Sequence, residues 1–482
     1  MDGRRDERPY PAPVGTRARF TGLLTATVLG VYVLVVVGAT SSLADGAAAC
    51  STWPTCDAPT DPLSQTELAV AWAHRIAAVV VGGLVAAAAV VGWLGDASRR
   101  VRLTLFAGVV LFLVQVGVGA VTATLGPAAL LPGLHLALGV SVFAVLVLAL
   151  TWDLEATTGT DDVDHPVEPV SESGRVIDTT TDRSPESAVA SSGLTRVSLT
   201  LRAYLSMTKP RLMWLLCLVA AAGMALAAGR SLEPRVVLAT LAGGVLAIGA
   251  SGTFNHVLER DVDRRMERTA DRPLATELVP AENAVLFGFV LTGASMAVFL
   301  TINTLAAALG LIAIVFYSVV YTLVLKPNTV QNTLIGGFAG ALPALIGWAA
   351  VTNEIGLPAL SLAGVIFLWT PAHFYNLALA YREDYARGGF PMLPVVRGET
   401  VTRKHILYYL AGTLVAAAGL AWLSALGVVF ALTVVAFGAL FLWAAVRLHF
   451  EQTEAAAFRS FHASNVFLGA VLVAILIDTL IV

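Results

Sequence analysis

Long apolar stretches alternate with short polar breaks along most of the chain. Thirteen of these stretches are long enough to cross a bilayer as an α-helix, which needs about 20 mostly apolar residues. They lack the period-two alternation of a membrane β-strand, and a backbone in lipid must satisfy its own hydrogen bonds. The pattern therefore predicts an all-α polytopic membrane protein.

One polar segment divides the apolar pattern into two blocks. Between residues 153 and 198 the chain carries ten Asp or Glu against three Arg, with many Ser and Thr, so this segment cannot bury a core. We predict a four-helix transmembrane domain at 1–152, an acidic, disordered linker at 153–199 and a nine-helix transmembrane bundle at 200–482.

The composition agrees with a protein surrounded by membrane lipid: 57% of the residues are hydrophobic, 13% are charged, and the mean hydropathy is +0.78. A net charge of −3 gives no indication of nucleic-acid binding. Arginine clusters before the first span, after the second and in alternate loops of the second block predict that these loops and the linker are cytoplasmic. We expect a multi-pass protein of the cell membrane, whose first apolar run, from about Phe20 to Val37, is a span and not a cleaved signal.

Residues 251–274 form a cluster of carboxylates and arginines between two apolar stretches. Asn255, Glu259 and Asp263 follow one another at i, i+4 and i+8, so a helix would stack their oxygen side chains on one face, about 6 Å apart. Mg²⁺ prefers such oxygen ligands and leaves its other positions to water and substrate phosphates. The pattern predicts a magnesium site for a diphosphate ester.

A second charged loop, at 381–394, is predicted to face the same cavity from the other half of the bundle. Asp384, with Glu383 beside it, is expected to hold a second Mg²⁺, so that two ions neutralise a leaving diphosphate. Nearby cations should assist, and aromatic side chains should line a dry cavity for a carbocation. The cations are Arg264, Arg272 and Lys326, and the aromatic residues are Tyr321, Trp369 and Phe374.

Each of these residues also has a purely structural explanation. A charged loop between membrane helices is usually just solvated, and Lys209 and Arg211 can bind phosphate or only anchor a helix end at the inner surface. His373, inside a membrane helix, is a functional candidate or a packing residue. Asn255, Glu259 and Asp263, which we call the acidic ladder, occur together with Asp384 on a different loop. This combination favours a catalytic metal site over charges that are merely solvated.

The first block carries two histidines near the outer ends of their spans, His74 on the second helix and His135 on the fourth. Histidines at the same depth on two helices can ligate one haem iron axially, although each alone is more often a packing residue. Cys50 and Cys56, in the first outer loop, can form a disulfide, with zinc binding or two free thiols as alternatives. Cys217 fits a small apolar filler.

The second block resembles the UbiA-type intramembrane prenyltransferases, whose Asn-xxx-Asp-xxx-Asp motif is matched at 255–263 with Glu259 in place of an Asp. Within that family it is most similar to the haem O synthases, the protohaem IX farnesyltransferases. The stretches that carry the resemblance are Met-Thr-Lys-Pro-Arg at 207–211, Tyr-Thr-Leu-Val-Leu-Lys-Pro-Asn-Thr-Val-Gln-Asn at 321–332, the Gly- and Ala-rich run at 336–352 and Phe-Leu-Trp-Thr-Pro-Ala-His-Phe-Tyr at 367–375.

This resemblance implies a nine-helix UbiA-type bundle that uses Mg²⁺, takes farnesyl diphosphate and haem B as substrates, and releases haem O. It adds Tyr381 and Arg382 to the expected substrate-binding residues, and it makes His373 a candidate contact for haem iron or a propionate. One departure concerns the second loop, which offers Glu383 and Asp384 instead of an Asp-xxx-Asp pattern.

Residues 20–152 resemble the amino-terminal half of haem A synthase, through the segments at 30–38, 50–56 and 72–75 and through His135. That family usually has a Glu three residues before the second-helix histidine, where this chain has Ala71. The resemblance implies a bound haem in this block, and a haem A synthase or an oxidase assembly protein as a partner.

Three other interpretations fit parts of the pattern. A UbiA-type prenyltransferase could use another aromatic acceptor, which the motifs at 321–352 and 367–375 disfavour. A bifunctional enzyme could also oxidise haem O to haem A, which Ala71 disfavours. A haem or ion transporter would place its charges near mid-membrane, whereas these charges collect at the cytoplasmic ends of the spans.

Overall fold

A computed structural model of the chain describes residues 15–43, 52–55, 66–125, 130–159 and 193–481. All the regular elements in these ranges are helical, and thirteen of the helices are long and apolar enough to cross a membrane. The prediction of an all-α polytopic protein is confirmed. The chain divides into two compact units, Met1–Gly159 and Thr160–Val482.

The first unit is a bundle of four long helices. They are α1 (Gly15–Leu43), α2 (Thr66–Leu94), α3 (Arg99–Leu125) and α4 (Leu131–Thr158). Helix α1 packs on α2 and α4, and α3 packs mainly on α4. The Tyr32 and Phe143 rings, 5.3 Å apart, join α1 to α4 in a buried apolar core.

Helix α4 extends further than the sequence predicted. It continues to Thr158, beyond the expected start of the linker at residue 153, and the buried Asp153 carboxylate accepts a hydrogen bond from Thr21 Oγ1 at 2.7 Å. The linker is also shorter at its other end, since a helix begins at Gly193. Residues 160–192 lie outside the described ranges, so the prediction of disorder there stays a prediction.

The second unit contains nine candidate spans among its described residues, together with several short helices. Its helices are α5 (Gly193–Met207), α6 (Pro210–Ala228), α7 (Pro234–Leu258), α8 (Arg260–Asp263), α9 (Ala281–Leu300), α10 (Thr304–Val315), α11 (Lys326–Asn328), α12 (Asn332–Thr352), α13 (Leu357–Ala380), α14 (Arg382–Arg387), α15 (Leu393–Val396), α16 (Glu399–Ser424), α17 (Val428–Glu451) and α18 (Glu454–Leu480). A 3₁₀ turn, Gly229–Ser231, follows α6, and a π-helical segment, Phe316–Leu325, joins α10 to α11.

Glycine allows the spans of this unit to approach closely. A Cβ at Gly347 on α12 would overlap the carbonyl oxygen of Ala220 on α6, and a Cβ at Gly223 would overlap that of Ala344 in the opposite direction. Small residues at helix crossings are a common way to gain packing energy in a membrane, where no hydrophobic effect drives one helix onto another. The α6–α12 contact therefore depends on having no side chain at these two positions.

Two short helices follow two of the spans at the same end of the unit. Helix α8 follows α7 after a break at Glu259, and α14 follows α13 after a break at Tyr381. An apolar cluster joins the two regions, because Met266 from the segment after α8 packs with Tyr385 and Phe390 from the segment after α13. The fold thus brings together two charged loops that lie more than a hundred residues apart in the sequence.

Candidate active site

The acidic ladder predicted at 255–263 is present. Although the helix axis breaks at Glu259, the hydrogen bonds continue in helical register, from Glu259 N to Asn255 O at 2.9 Å and from Asp263 N to Glu259 O at 2.8 Å. All three side chains are buried. The ladder therefore faces the interior of the second unit and not bulk solvent.

Cations from three other segments contact this ladder. Lys326 Nζ, on α11, lies 2.5 Å from Glu259 Oε1. Arg272 Nη1 lies 2.8 Å from Asp263 Oδ2 and 3.8 Å from Glu259 Oε2. Lys209, at the joint between α5 and α6, donates a hydrogen bond to the Asn255 side-chain oxygen.

The ionisation of these groups reflects burial opposed by charge. Burial raises the pKa of Glu259, but the ammonium groups of Lys326 and Lys209 and the Arg272 guanidinium outweigh it and hold that pKa below its ordinary value. Burial raises the pKa of Asp263 above its ordinary value, although Arg272 acts in the opposite direction. Burial lowers the pKa of Lys209 to about 8, against the attraction of the Glu259 carboxylate. A cluster of this kind is typical of a functional site.

The second loop meets the first through Asp384. Its carboxylate is buried, and Oδ1 accepts hydrogen bonds from the Glu267 backbone N at 2.7 Å and from Arg387 Nη2 at 3.0 Å. The guanidinium of Arg268 lies over the rings of Tyr381 and Tyr385, 5.1 and 5.6 Å from their centroids. The two loops that the sequence predicted to share a cavity are therefore in direct contact.

Among the predicted charged residues, Glu383, Arg211, Arg264 and Arg382 make no hydrogen bond or ion pair with the ladder side chains in the described structure. Glu383, next to Asp384, is exposed, because adjacent positions on a helix point about 100° apart. Arg211 is exposed on the first turn of α6. The remaining two form other ion pairs: Arg264 with Glu277 at 2.7 Å, and Arg382 with Glu399 at 3.2 Å.

Phe374, predicted to line the cavity, is exposed on α13, and the other predicted aromatic residues lie in two places. Tyr321 belongs to the π-helical segment and lies beside Tyr317, with ring centroids 5.5 Å apart and the rings tilted by 31°. Trp369 and His373 lie on the buried face of α13, with their rings stacked at 4.2 Å. His373 Nδ1 is 2.6 Å from Ser464 Oγ and Trp369 Nε1 donates to Ser464 O at 3.0 Å, so both side chains pack α13 against α18.

Sequence reasoning missed three residues that complete the site. Tyr317 OH lies 3.1 Å from Lys209 Nζ, Thr322 Oγ1 accepts a hydrogen bond from Asn255 Nδ2 at 3.2 Å, and Arg268 bridges the two loops. Tyr317 and Thr322 are five residues apart, and they act together because the helix is locally of the π type, as the bond from Thr322 Oγ1 to Tyr317 O indicates. Such segments often occur at functional sites.

The donor set fits Mg²⁺. Among the described residues no three His, Cys, Asp or Glu side chains are close enough to hold a metal between them, but Mg²⁺ usually takes only one or two carboxylates from a protein. Asn255 adds an amide oxygen to the carboxylates of Glu259 and Asp263. Across the loop contact, the buried Asp384 Oδ2 has no hydrogen-bond partner in the part of the chain that the structure describes, so it is available to a cation.

In the first unit, the two predicted histidines come together. The rings of His74 on α2 and His135 on α4 have centroids 6.3 Å apart at an angle of 65°. Each ring lies against a glycine, His74 against Gly38 and His135 against Gly119. The predicted disulfide partners, Cys50 and Cys56, lie outside the described residues.

Comparison with known proteins agrees with this geometry. The UbiA prenyltransferase family matches residues 215–470. The chain belongs to that family. It is accordingly a membrane prenyltransferase, and the prediction of an enzyme with a UbiA-type fold is confirmed.

Curated relatives match nearly the whole chain. A protoheme IX farnesyltransferase of Haloarcula marismortui is 60% identical over 96% of this chain and 98% of its own length. Protoheme IX farnesyltransferase 1 of Natronomonas pharaonis is 61% identical over 96% of this chain and 99% of its own length. Among solved structures, a digeranylgeranylglyceryl phosphate synthase gives a TM-score of 0.51 at 16% identity, covering 59% of this chain and all of that one, which supports the fold alone.

Proposed function

We propose that the second unit transfers the farnesyl group of farnesyl diphosphate to a vinyl group of haem B and forms haem O. The observation that carries this proposal is the contact between two charged loops, made by the buried Asp384 carboxylate and the Glu267 backbone N, in the same region as the buried ladder of oxygen ligands. The relatives named above support the choice of substrates.

The ladder and the second loop have separate tasks. Asn255, Glu259 and Asp263 would hold one Mg²⁺, and Asp384 would hold a second through Oδ2, which has no hydrogen-bond partner among the described residues. The chemistry that Mg²⁺ supplies when bound is neutralisation of the charge that develops on the leaving diphosphate. Glu383, being exposed, is left out of this assignment.

The cations of the site act on the same leaving group. The side chains of Lys209, Arg272 and Lys326 donate hydrogen bonds to the ladder. They can donate to phosphate oxygens instead when a diphosphate approaches the ladder. When the bond between the farnesyl C1 and the diphosphate oxygen breaks, its electron pair leaves with the diphosphate. The Tyr317 and Tyr321 rings can then stabilise the allylic cation that remains.

The acceptor step follows from the weak nucleophilicity of a vinyl group. The vinyl π electrons form the new bond to the farnesyl C1, and the cation left on the vinyl side is captured by water. Loss of a proton from that water gives the hydroxyl of the hydroxyethylfarnesyl product.

Because both acidic loops are rich in arginine, we place them on the cytoplasmic side of the cell membrane.

The decisive experiment compares two aspartates that are two residues apart. Asp261 is exposed and pairs with Arg260 at 3.2 Å, whereas Asp263 is buried in the ladder. With the purified full chain, farnesyl diphosphate and haem B, we expect haem O only when Mg²⁺ is present. Asp263→Ala should lower kcat by at least about 100-fold, equivalent to about 2.7 kcal/mol of transition-state stabilisation, and Asp261→Ala should leave it unchanged.

Two outcomes would contradict the proposal. If Asp263→Ala keeps wild-type kcat, the ladder is not the metal site. If diphosphate is released only when a different aromatic acceptor replaces haem B, the chain is a prenyltransferase of another specificity.

We further propose that the first unit binds haem through His74 and His135. The support is their approach to 6.3 Å on two helices of one bundle, with the likeness to haem A synthase described above. In this division of labour, 1–152 holds haem, 200–482 prenylates it, and a haem A synthase or an oxidase assembly protein takes the product. Absorption spectra of the purified chain with added haem, with and without His74→Ala and His135→Ala, test the haem site directly.

A further inference from the structure

Within the described residues of the first unit, three buried polar atoms that have no hydrogen-bond partner occur together. They are His74 Nδ1 on α2, Gln115 Oε1 on α3 and His135 Nδ1 on α4. A buried donor or acceptor without a partner is costly, and such atoms are rare in native proteins. Three of them in one small region indicate that a ligand completes their bonding.

The side chains that carry these atoms form one connected group. Gln115 Nε2 lies 3.2 Å from His135 Nε2, and the His135 and His74 ring centroids are 6.3 Å apart. Gln115, on α3, is therefore the third side chain of this group, with His74 on α2 and His135 on α4.

Glycines provide the room for this group. A Cβ would lie 3.3 Å from His74 Cε1 at Gly38, 3.0 Å from His135 Cε1 at Gly119 and 3.2 Å from Gln115 Nε2 at Gly139. Each of these distances is shorter than ordinary van der Waals contact. All three polar side chains therefore sit where a neighbouring helix has no side chain, which keeps the region open to the rings.

We propose that Gln115 is a positioning residue that holds His135 ready to ligate a metal centre, the haem iron of the site proposed above. Gln115 holds one ring nitrogen of His135, Nε2, and leaves the other, Nδ1, without a partner. A metal-ligating histidine usually has its second ring nitrogen fixed by such a hydrogen bond, which sets the tautomer and the ring orientation. The inference rests on the proposed haem binding by the first unit.

The proton positions are consistent with this role. Ligation through Nδ1 requires the proton of a neutral imidazole to lie on Nε2, which then needs an acceptor. A half-turn of the Gln115 amide about its Cγ–Cδ bond exchanges the positions of Gln115 Oε1 and Gln115 Nε2. Gln115 Oε1 then accepts the proton of His135 Nε2. One metal and one half-turn thus give a partner to all three atoms that have none.

The experiment is a haem titration of the purified full chain, followed by absorption spectra and by the midpoint potential of the bound haem. The variants are Gln115→Leu, which removes the hydrogen bond, and Gln115→Glu, which keeps an acceptor. Thr122→Val on the same helix is the control, because the Thr122 hydroxyl, as far as the described residues go, bonds to the Val118 carbonyl oxygen one turn before it and to no other group.

We expect wild type and Thr122→Val to bind haem with the spectrum of two histidine ligands. Gln115→Leu should bind about 10- to 100-fold more weakly, the usual effect of losing such a partner, and should raise the midpoint potential. Gln115→Glu should restore affinity and lower the potential, because a carboxylate makes the imidazole a stronger donor. A loss of packing alone would not move the potential in opposite directions.

The contrary results are distinguishable. If Gln115→Leu binds haem with wild-type affinity and potential, the amide only packs against His135 and this inference is wrong. If the wild-type chain binds no haem in the first unit yet still forms haem O, the proposed haem site is wrong, the inference falls with it, and the prenyltransferase proposal stands.

Discussion

Replacement of Gly252 by Ala tests whether the position of Lys209 matters for catalysis. Gly252 lies on α7, one turn before Asn255, where the α5–α6 joint crosses the helix. A Cβ there would lie 2.7 Å from Met207 O and 3.3 Å from Lys209 Cγ. The first contact is about 0.7 Å closer than the 3.4 Å at which ordinary contact begins, and it involves a backbone atom that cannot rotate away.

The clash cannot be relieved on the Met207 side without cost. Met207 is fully buried, in a cluster with Ala203, Leu274, Val279 and Ala284. The joint must therefore move away from α7 by several tenths of an ångström, and Lys209 moves with it, away from the Asn255 side-chain oxygen. Overpacking of this kind costs about 1–3 kcal/mol of stability.

Catalysis should be more sensitive than stability. A misplacement of about 1 Å at a catalytic group can cost about 100-fold in rate, so we expect Gly252→Ala to lower kcat for haem O formation by about 10- to 100-fold. Gly244→Ala is the matched control, because it lies on the same helix and a Cβ there meets nothing within 4 Å. Initial rates at saturating substrates, with melting curves in the same detergent, separate the two effects.

The reasoning is refuted if Gly252→Ala and Gly244→Ala have the same kcat while both melt near the wild-type temperature. If Gly252→Ala unfolds, Lys209→Met with the glycine retained takes its place. That variant keeps the backbone crossing and removes only the ammonium, so wild-type kcat would equally contradict the role given to Lys209.

Three further predictions use the same rate and melting assays. Arg272→Gln should lower kcat at least tenfold and lower the free energy of unfolding by about 3–5 kcal/mol, because it leaves the Asp263 carboxylate buried without its partner. Arg264→Gln should keep kcat within twofold of wild type, because Arg264 pairs with an exposed glutamate. Equal losses of kcat in the two variants would contradict the geometry. Glu259→Gln should lower the melting temperature, and adding Lys326→Met should recover part of that loss, since the second change removes the stranded ammonium; a purely additive double variant would show that the pair is not coupled. Gly336→Ala should slow turnover, because a Cβ there would lie 2.7 Å from the Tyr321 ring, and an unchanged rate would show that this ring position is unimportant.

The acidic ladder could be predicted because its geometry is local. Asn255, Glu259 and Asp263 keep helical spacing, and the backbone bonds continue across the break at Glu259, so periodicity alone placed them on one face. The spans were predictable for a similar reason, since length and hydropathy are properties of contiguous residues.

The parts that escaped prediction depend on distant contacts or on irregular backbone. The bridge from Arg268 to Tyr385 joins residues 117 positions apart, and no periodic pattern links them. Tyr317 contacts Lys209 and Thr322 contacts Asn255 from a π-helical segment, which hydropathy does not reveal. Glu383 and Asp384 are adjacent carboxylates that the sequence alone does not distinguish. The residue at which α14 begins decides which of the two side chains faces the interior, and this is Asp384.

The two loops solve one electrostatic problem in a common way. In each, a long span ends in a one-residue break and a short helix follows, with a buried aspartate, Asp263 in α8 and Asp384 in α14. A carboxylate held this close to a membrane span needs a counter-charge. For Asp384 the same helix supplies one, since Arg387 Nη2 lies 3.0 Å from Asp384 Oδ1. For the ladder the cations come from other segments, with Lys326 on α11 and Lys209 at the α5–α6 joint. Because the candidate site is assembled from charges on separate elements, its geometry depends on how closely those elements approach, and for this reason we expect Gly252→Ala to affect catalysis although Gly252 itself carries no reactive group.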